Sequence, residues 1–388
     1  MTTWVIFPAR RAVEHAITVP ELVPLRIFAV LWPLWEADTT ATICDEPNYD
    51  LIDRFLTRAV LDARVDRVDD LATFLGLPET LVRRCLSYLS NIQHVRLDGD
   101  TVQVTELGAE SVRADIRFEW KESRQKLLIE RHTGQPLPRR YYGGSIPILQ
   151  EPAVDRSRTD GSPFVPLFTA KPFEEAAVLQ LEKRQDRAEF NLPRRLRDLR
   201  VLSSADAYLP AYLLETDTHG LLVYTMAAPE RDGFFEEVCR VTSSIGDRIQ
   251  AERRHDPQQL WTEWLARGRA GVGTLRQLSN GVWRATFSGD AFGPQSPHHP
   301  VNRAGTFCTY RNQFIQVWCD DDTIRRAALF ERAFLMVRAP ELATVAEYEH
   351  RLAAFARQLE LPPIDAQAVR RRAIAKGRHD LVSRIDAL

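Results

Sequence analysis

The order of elements dictated by residues 50–113 constrains this chain more than any other feature: helix, helix, tight turn, helix, hairpin, helix. Asn48 is placed to cap the first helix. Leu51, Ile52, Phe55, Leu56, Ala59 and Val60 then recur at three- and four-residue spacing, the apolar stripe of an amphipathic helix. Asp69 stands where a cap would open a short second helix over 70–75. Gly76 ends that helix, because a residue without Cβ takes the positive φ of a tight turn. Leu77 plugs the turn, and Pro78 suits the first turn of a third helix over 78–91, where no amide donor is needed. Val82, Leu86 and Leu89 form its buried stripe. Its other face carries Glu79, Thr80, Arg83, Arg84, Ser87 and Tyr88. Asp98-Gly99 between alternating runs signals a two-residue hairpin turn, and Thr105 is placed to cap a fourth helix with Leu107 and Val112 facing in.

This stretch resembles the winged-helix superfamily, in the style of bacterial MarR- or ArsR-like regulators. The residues that carry the resemblance are Leu71-Ala72-Thr73-Phe74-Leu75-Gly76-Leu77, the Val82/Leu86/Leu89 stripe, and the hairpin running into Val104-Thr105-Glu106-Leu107-Gly108. The resemblance covers about one sixth of the chain and specifies a fold better than a partner. It implies base contacts in a DNA major groove from Thr80, Arg83, Arg84, Ser87 and Tyr88, and phosphate contacts near the wing from Arg96.

Charge argues the other way. Residues 50–113 hold eleven acids against eight bases, a net of −3. DNA affinity rests on neutralising phosphates with Lys and Arg. Here Asp98 and Asp100 stand at the wing tip, and Glu79 opens the third helix. The module therefore either contacts duplex DNA through Arg83 and Arg84 with help from outside, or docks a protein. That help is sought in residues 114–200, which carry a net of +4; their most basic run, 190–200, sets Arg194, Arg195, Arg197 and Arg200 among leucines. Its alternative reading is a solvated helix face balanced by Glu182, Asp186 and Glu189.

The whole chain carries a formal charge of −2, which excludes a generic nucleic-acid or membrane binder. The expected fold class is α+β: an N-terminal winged helix-turn-helix followed by one or two mixed α/β domains with antiparallel hairpins. Residues 1–47 read as a piece packing on the module, with strands at 4–7 and 13–19 and an aromatic segment at 22–35. That segment is too short, and too interrupted by Pro24, Arg26 and Pro33, to span a bilayer. The module occupies 48–113. A basic mixed segment follows over 114–200, with a hairpin turn at 132–136 and a linker near 151–166 around Asp160-Gly161. A C-terminal α+β domain fills 201–388. Within it, 207–214 and 221–227 form a hairpin and 232–253 is helical. Asp256-Pro257 opens a helix, 281–289 is strand, and 292–300 is a loop bearing Pro294 and Pro297. One or two strands span 306–318. A helix begins at 323, residues 333–338 read as strand, 344–359 is an amphipathic helix, and the basic tail 366–388 is helical.

Signatures of common chemistry are missing: no P-loop, no G-x-G-x-x-G after a strand, no G-x-S-x-G and no H-E-x-x-H. Cysteines 44, 85, 239, 308 and 319 are scattered without ligand spacing, which points to reduced thiols in a cytoplasmic protein with no structural zinc. Asp320-Asp321-Asp322 after a strand could hold Mg²⁺ for phosphodiester hydrolysis, or could simply cap a helix. His298-His299 reads as surface loop. No cofactor, catalytic residue or metal ligand is assigned. The reading is a non-enzymatic bacterial DNA-binding protein, either a transcription regulator or a recognition subunit of a defence-type nucleoprotein complex. Protein docking by the module, with a protein partner or a second copy, is the alternative. A metal-dependent nuclease comes last.

Overall fold

The computed structural model describes residues 5–19, 22–154, 163–169, 171–217, 219–268, 270–293, 296, 298–338 and 342–388. Trp4, the Asp160-Gly161 turn, Pro294 and Pro297 lie outside them. The chain divides into two compact units. Unit 1 takes residues 1–33, 143–169 and 207–388, and unit 2 takes 34–142 and 170–206. The class is mixed α and β with mainly antiparallel sheets.

The first described element is α1 (Ala9–Thr18), which buries Ala9, Ala12, Val13 and Ala16. Residues 13–18 are therefore helical where alternation suggested a strand: small residues at i, i+3, i+4 and i+7 let a helix pack closely. The aromatic segment opens β1 (Pro24–Asp45), a 22-residue strand shared by both units. A continuous apolar run such as 27–32 reads as strand or buried helix from sequence alone.

Unit 2 then lays down α2 (Leu51–Leu61), α3 (Val68–Leu75), α4 (Glu79–Asn91), β2 (Val95–Asp98), β3 (Thr101–Val104) and α5 (Glu106–Ala114). Leu56, Leu71, Val82, Leu86 and Leu89 are fully buried in one core with Val95 and Val102. Four expectations change, the first being that Pro78 precedes α4 as its extended N-cap and is not in its first turn. Asp50, not Asn48, caps α2, accepting from the Ile52 amide at 3.0 Å. The second helix starts at Val68, so Asp69 lies in its first turn and does not cap it. Pairing of Asp98 with Thr101 moves the hairpin turn to Gly99-Asp100. Gly76 does end α3 in the left-handed region, φ 63°, and Thr105 caps α5 through the Gly108 amide at 3.2 Å.

The chain continues into β4 (Glu119–Glu130), antiparallel to β1 from Leu34↔Glu130 to Asp45↔Glu119. Glu130 is fully buried where β4 ends. Its carboxylate accepts from the amides and side chains of His132 and Thr133, holding the expected turn, and Leu137 returns its amide to the Leu128 carbonyl at 2.8 Å. Next come β5 (Val165–Pro166), parallel to Val30-Leu31 of β1, and α6 (Glu175–Gln180). β6 (Leu196–Thr216) follows, a second strand shared by both units, then β7 (Leu221–Tyr224). The order in this sheet is β4-β1-β6-β7. The basic run at 190–200 thus leads into a strand and is not a helix face: Leu196 and Leu199 are buried where Arg197 and Arg200 are exposed.

The rest belongs to unit 1: α7 (Gly233–Val241), α8 (Ser243–Ala251), α9 (Pro257–Ala266), β8 (Gly273–Gln277), β9 (Trp283–Phe287), β10 (Phe307–Tyr310), β11 (Gln313–Cys319), α10 (Asp322–Met336), α11 (Val345–Gln358), α12 (Ala366–Ala375) and α13 (His379–Asp386). The helical stretch at 232–253 breaks at Thr242, and Asp256 caps α9 as expected. A second sheet runs β10-β11-β9-β8, with β11 parallel to β9. Residues 333–336 continue α10 and are not a strand: Ala333, Phe334 and Met336 join a helical core with Tyr348, Leu352, Val369 and Leu381. Domain limits at 47, 113 and 200 do not match either unit. Among the described residues, no helix is long and apolar enough to cross a membrane.

Candidate nucleic-acid interface

The exposed face of α4 exists because Val82, Leu86 and Leu89, each 0% exposed, fix its rotation. That turns Glu79, Thr80, Arg83, Arg84 and Ser87 outward, with Tyr88 beside them. Arg83 is not a free cation. Its Nη2 lies 2.8 Å from Glu79 Oε1 and 2.8 Å from Asp100 Oδ1, so helix and hairpin tip share one guanidinium. Asp100 first, then Glu79, push its pKa further up. Ser87 Oγ donates to the Arg83 carbonyl at 2.8 Å. Tyr88 donates to Glu119 Oε1 at 2.7 Å with Arg117 over its ring, and burial, then Glu119, raise the phenol pKa to about 12. Arg84 on α4 and Arg96 on β2 are exposed, and neither forms an ion pair among the described residues. The α4 and hairpin face therefore carries three arginines (83, 84, 96) against three acids (79, 98, 100).

The basic run divides in the same way. Arg195 pairs with Glu110 of α5 at 2.5 Å and lies over Phe118, with the buried Cys44 thiol nearby. Arg197 stacks on Trp120, 4.4 Å from the ring centre. Arg194 is exposed. Packing against aromatic faces holds two of the four arginines of this run, Arg195 and Arg197, against unit 2.

Beneath α4 lies a polar hub. His94 is fully buried, with Nε2 2.8 Å from the Phe118 carbonyl and Nδ1 3.3 Å from Tyr49 Oη. Burial lowers its pKa and keeps it neutral. Asp53, 6% exposed, lies 3.9 Å from Arg117, whose Nε is 2.6 Å from Glu119.

The nuclease residues find other partners. Asp321 caps α10 through the Thr323 amide at 2.7 Å, Asp322 pairs with Arg325, and Asp320 accepts from Trp318 Nε1. No group of three or more potential ligands able to hold a metal occurs among the described residues. His299 corrects the surface-loop expectation: it is 6% exposed, packed on Phe287 and Phe292, and burial lowers its pKa.

No family model, curated protein or solved structure matches this chain. Sequence reasoning passed over one feature altogether, a cleft of about 1110 Å³ within unit 1. Its walls come from segments scattered between Val5 and Asn312, so no local spacing announces it.

Proposed function

We propose that residues 51–114 form a winged helix-turn-helix whose exposed face docks a protein, making the chain a non-enzymatic interaction subunit. The observation that carries this is Arg83 held between Glu79 and Asp100. A helix entering a phosphate-lined groove would bring two carboxylates with its central arginine, and each repels the backbone. Leu51 and Phe55, one turn apart on α2, and Phe74 on α3 are 63%, 46% and 59% exposed. A protein face can cover such side chains, whereas phosphate gains nothing from them.

A second reading keeps the DNA-binding role, as a regulator or as the recognition subunit of a nucleoprotein complex. The free Arg84 and Arg96 favour it, joined by Thr80 and the exposed Arg194. Anisotropy of a mixed-sequence duplex at ~50 mM salt decides between the two, because phosphate-driven binding is strongest at low salt. Docking predicts no binding in the micromolar range. Micromolar binding that Arg84→Ala/Arg96→Ala abolishes, with a salt slope lower by about 2, would establish the DNA reading instead.

A further inference from the structure

The cleft in unit 1 has a charge unlike the rest of the chain. Arg10, Arg248, Arg253, Arg303, Arg311 and His255 line it, and among the described residues Glu252 is its one carboxylate. None of the five arginines forms an ion pair with a carboxylate among the described residues. Elsewhere in unit 1, arginines such as Arg26, Arg284, Arg338 and Arg370 each reach an acid within 2.9 Å. Even Glu14, one turn on from Arg10, is taken by Gln358. Arg332 lies buried near Arg10 and Arg303: burial lowers its pKa, Glu14 opposes that shift, and the two arginines add to it. Five guanidinium groups that line one cleft without a carboxylate partner repel one another, and an anion relieves that repulsion. The first turn of α1, capped by no side chain, brings Ala9 and Arg10 to the cleft lining and adds the positive end of a helix dipole.

Aromatic side chains also line the cleft. Trp264 and Tyr310 are half-buried with their orientation fixed: Trp264 packs edge-on to Trp261 at 5.7 Å, and Arg267 donates to the Tyr310 hydroxyl at 2.9 Å. Phe7, Phe28, Tyr212 and Phe307 lie buried behind them. The volume lies slightly above the usual range of small-molecule sites, which run to about 1,000 Å³.

We propose that this cleft binds a small nucleotide, with its phosphates among Arg10, Arg248, Arg253, Arg303 and Arg311 and its base against Trp264 and Tyr310. Guanidinium forks match phosphate oxygens, and a base stacks on an aromatic ring whatever its sequence identity. The site is independent of the partner of unit 2.

Calorimetric titration of the full chain with ATP, AMP and inorganic pyrophosphate tests this. ATP is expected to bind with a micromolar Kd and AMP about tenfold or more weakly, since a tenfold change is only one or two charge-assisted contacts. Arg253→Ala/Arg311→Ala, at exposed positions that leave the fold intact, weakens ATP and pyrophosphate at least tenfold. Trp264→Leu weakens ATP about tenfold and leaves pyrophosphate within about twofold. Arg326→Ala, exposed on α10 and outside the cleft, changes neither. The proposal is overturned if neither ATP nor pyrophosphate binds at ~1 mM, a concentration that detects even weak sites. It is equally overturned if the double variant, melting like wild type, binds ATP unchanged. Single-stranded dT10 displacing ATP with more than about tenfold higher affinity would reassign the cleft to nucleic-acid strands.

Discussion

Asp53 shows how one side chain can oppose the fold it belongs to. Burial raises its pKa to about 6, and Asp50 adds to the rise; Arg117 at 3.9 Å only partly offsets them. The unfolded carboxyl titrates near 3.9. Because the folded value is the higher, the protonated form favours folding: that contribution is complete below about pH 3.9 and lost as pH rises through about 6. At neutral pH the ionised group therefore costs on the order of 1–3 kcal/mol. Asp53→Asn keeps the shape, drops the charge, and leaves Arg117 paired with Glu119. Urea unfolding at pH 7.5 should show the variant more stable by that amount, with the gain shrinking towards pH 4.5. A variant less stable than wild type at pH 7.5 would mean that the Arg117 contact outweighs burial. His94 works in the opposite sense: its lowered pKa supports folding above about pH 6.5 and withdraws that support as pH falls. Neither role was legible in the sequence. Asp53 reads as one more surface acid, and only the rotation of α2 carries it inside.

At the scale of elements, periodicity located the helices of unit 2 more reliably than it oriented them. The α2 stripe, with apolar residues at 51, 52, 55, 56, 59 and 60, is wider than one buried face. The protein resolves that ambiguity by burying Leu56, Ala59 and Val60 and exposing Leu51 and Phe55. Tertiary contacts decide which edge of a broad stripe goes in, and no single helix records them. The start of α5 was legible because its chemistry is local. Thr105 caps it, and Gly108 stands where a Cβ would come 2.2 Å from the His94 carbonyl oxygen and 3.1 Å from Val104 Cγ1. The glycine thus lets α5 press against the backbone that enters the hairpin. Gly108→Ala forces that backbone and α5 apart, at a cost of about 3 kcal/mol through overpacking. Chemical denaturation reads this as a lower midpoint at constant m-value. A midpoint unchanged from wild type would show that α5 moves away freely, and with it would go the close packing of α5 on the hairpin.

At the scale of the molecule, domain limits were the least legible feature, because the chain passes between its two units four times, at 33–34, 142–143, 169–170 and 206–207. Reading along the chain favours contiguous domains, such as one over 201–388. The core of unit 1 contradicts that. Ile6, Phe7, Ala9, Ala12, Val13 and Ala16 lie in one cluster with Tyr212, Leu222, Tyr224, Val282, Phe307 and Phe314. Burying the three larger of those N-terminal side chains, Ile6, Phe7 and Val13, contributes on the order of 5–10 kcal/mol. The whole stability of a domain is about 5–15 kcal/mol. Residues 207–388 expressed alone also lack Ile27 and Ala29 of β1, which belong to the same cluster. The fragment should therefore lack cooperative thermal unfolding and bind a hydrophobic dye, as chains do when secondary structure survives without fixed packing. A cooperative melt at the midpoint of the full chain would show that 207–388 is self-sufficient after all. The nucleotide proposal depends on the same point, since Arg10 and the first turn of α1 reach the cleft only if the N-terminal segment is part of unit 1. Deleting residues 1–19 should then remove ATP binding along with the stability of unit 1, whereas Arg253→Ala/Arg311→Ala should weaken binding at least tenfold and leave stability unchanged.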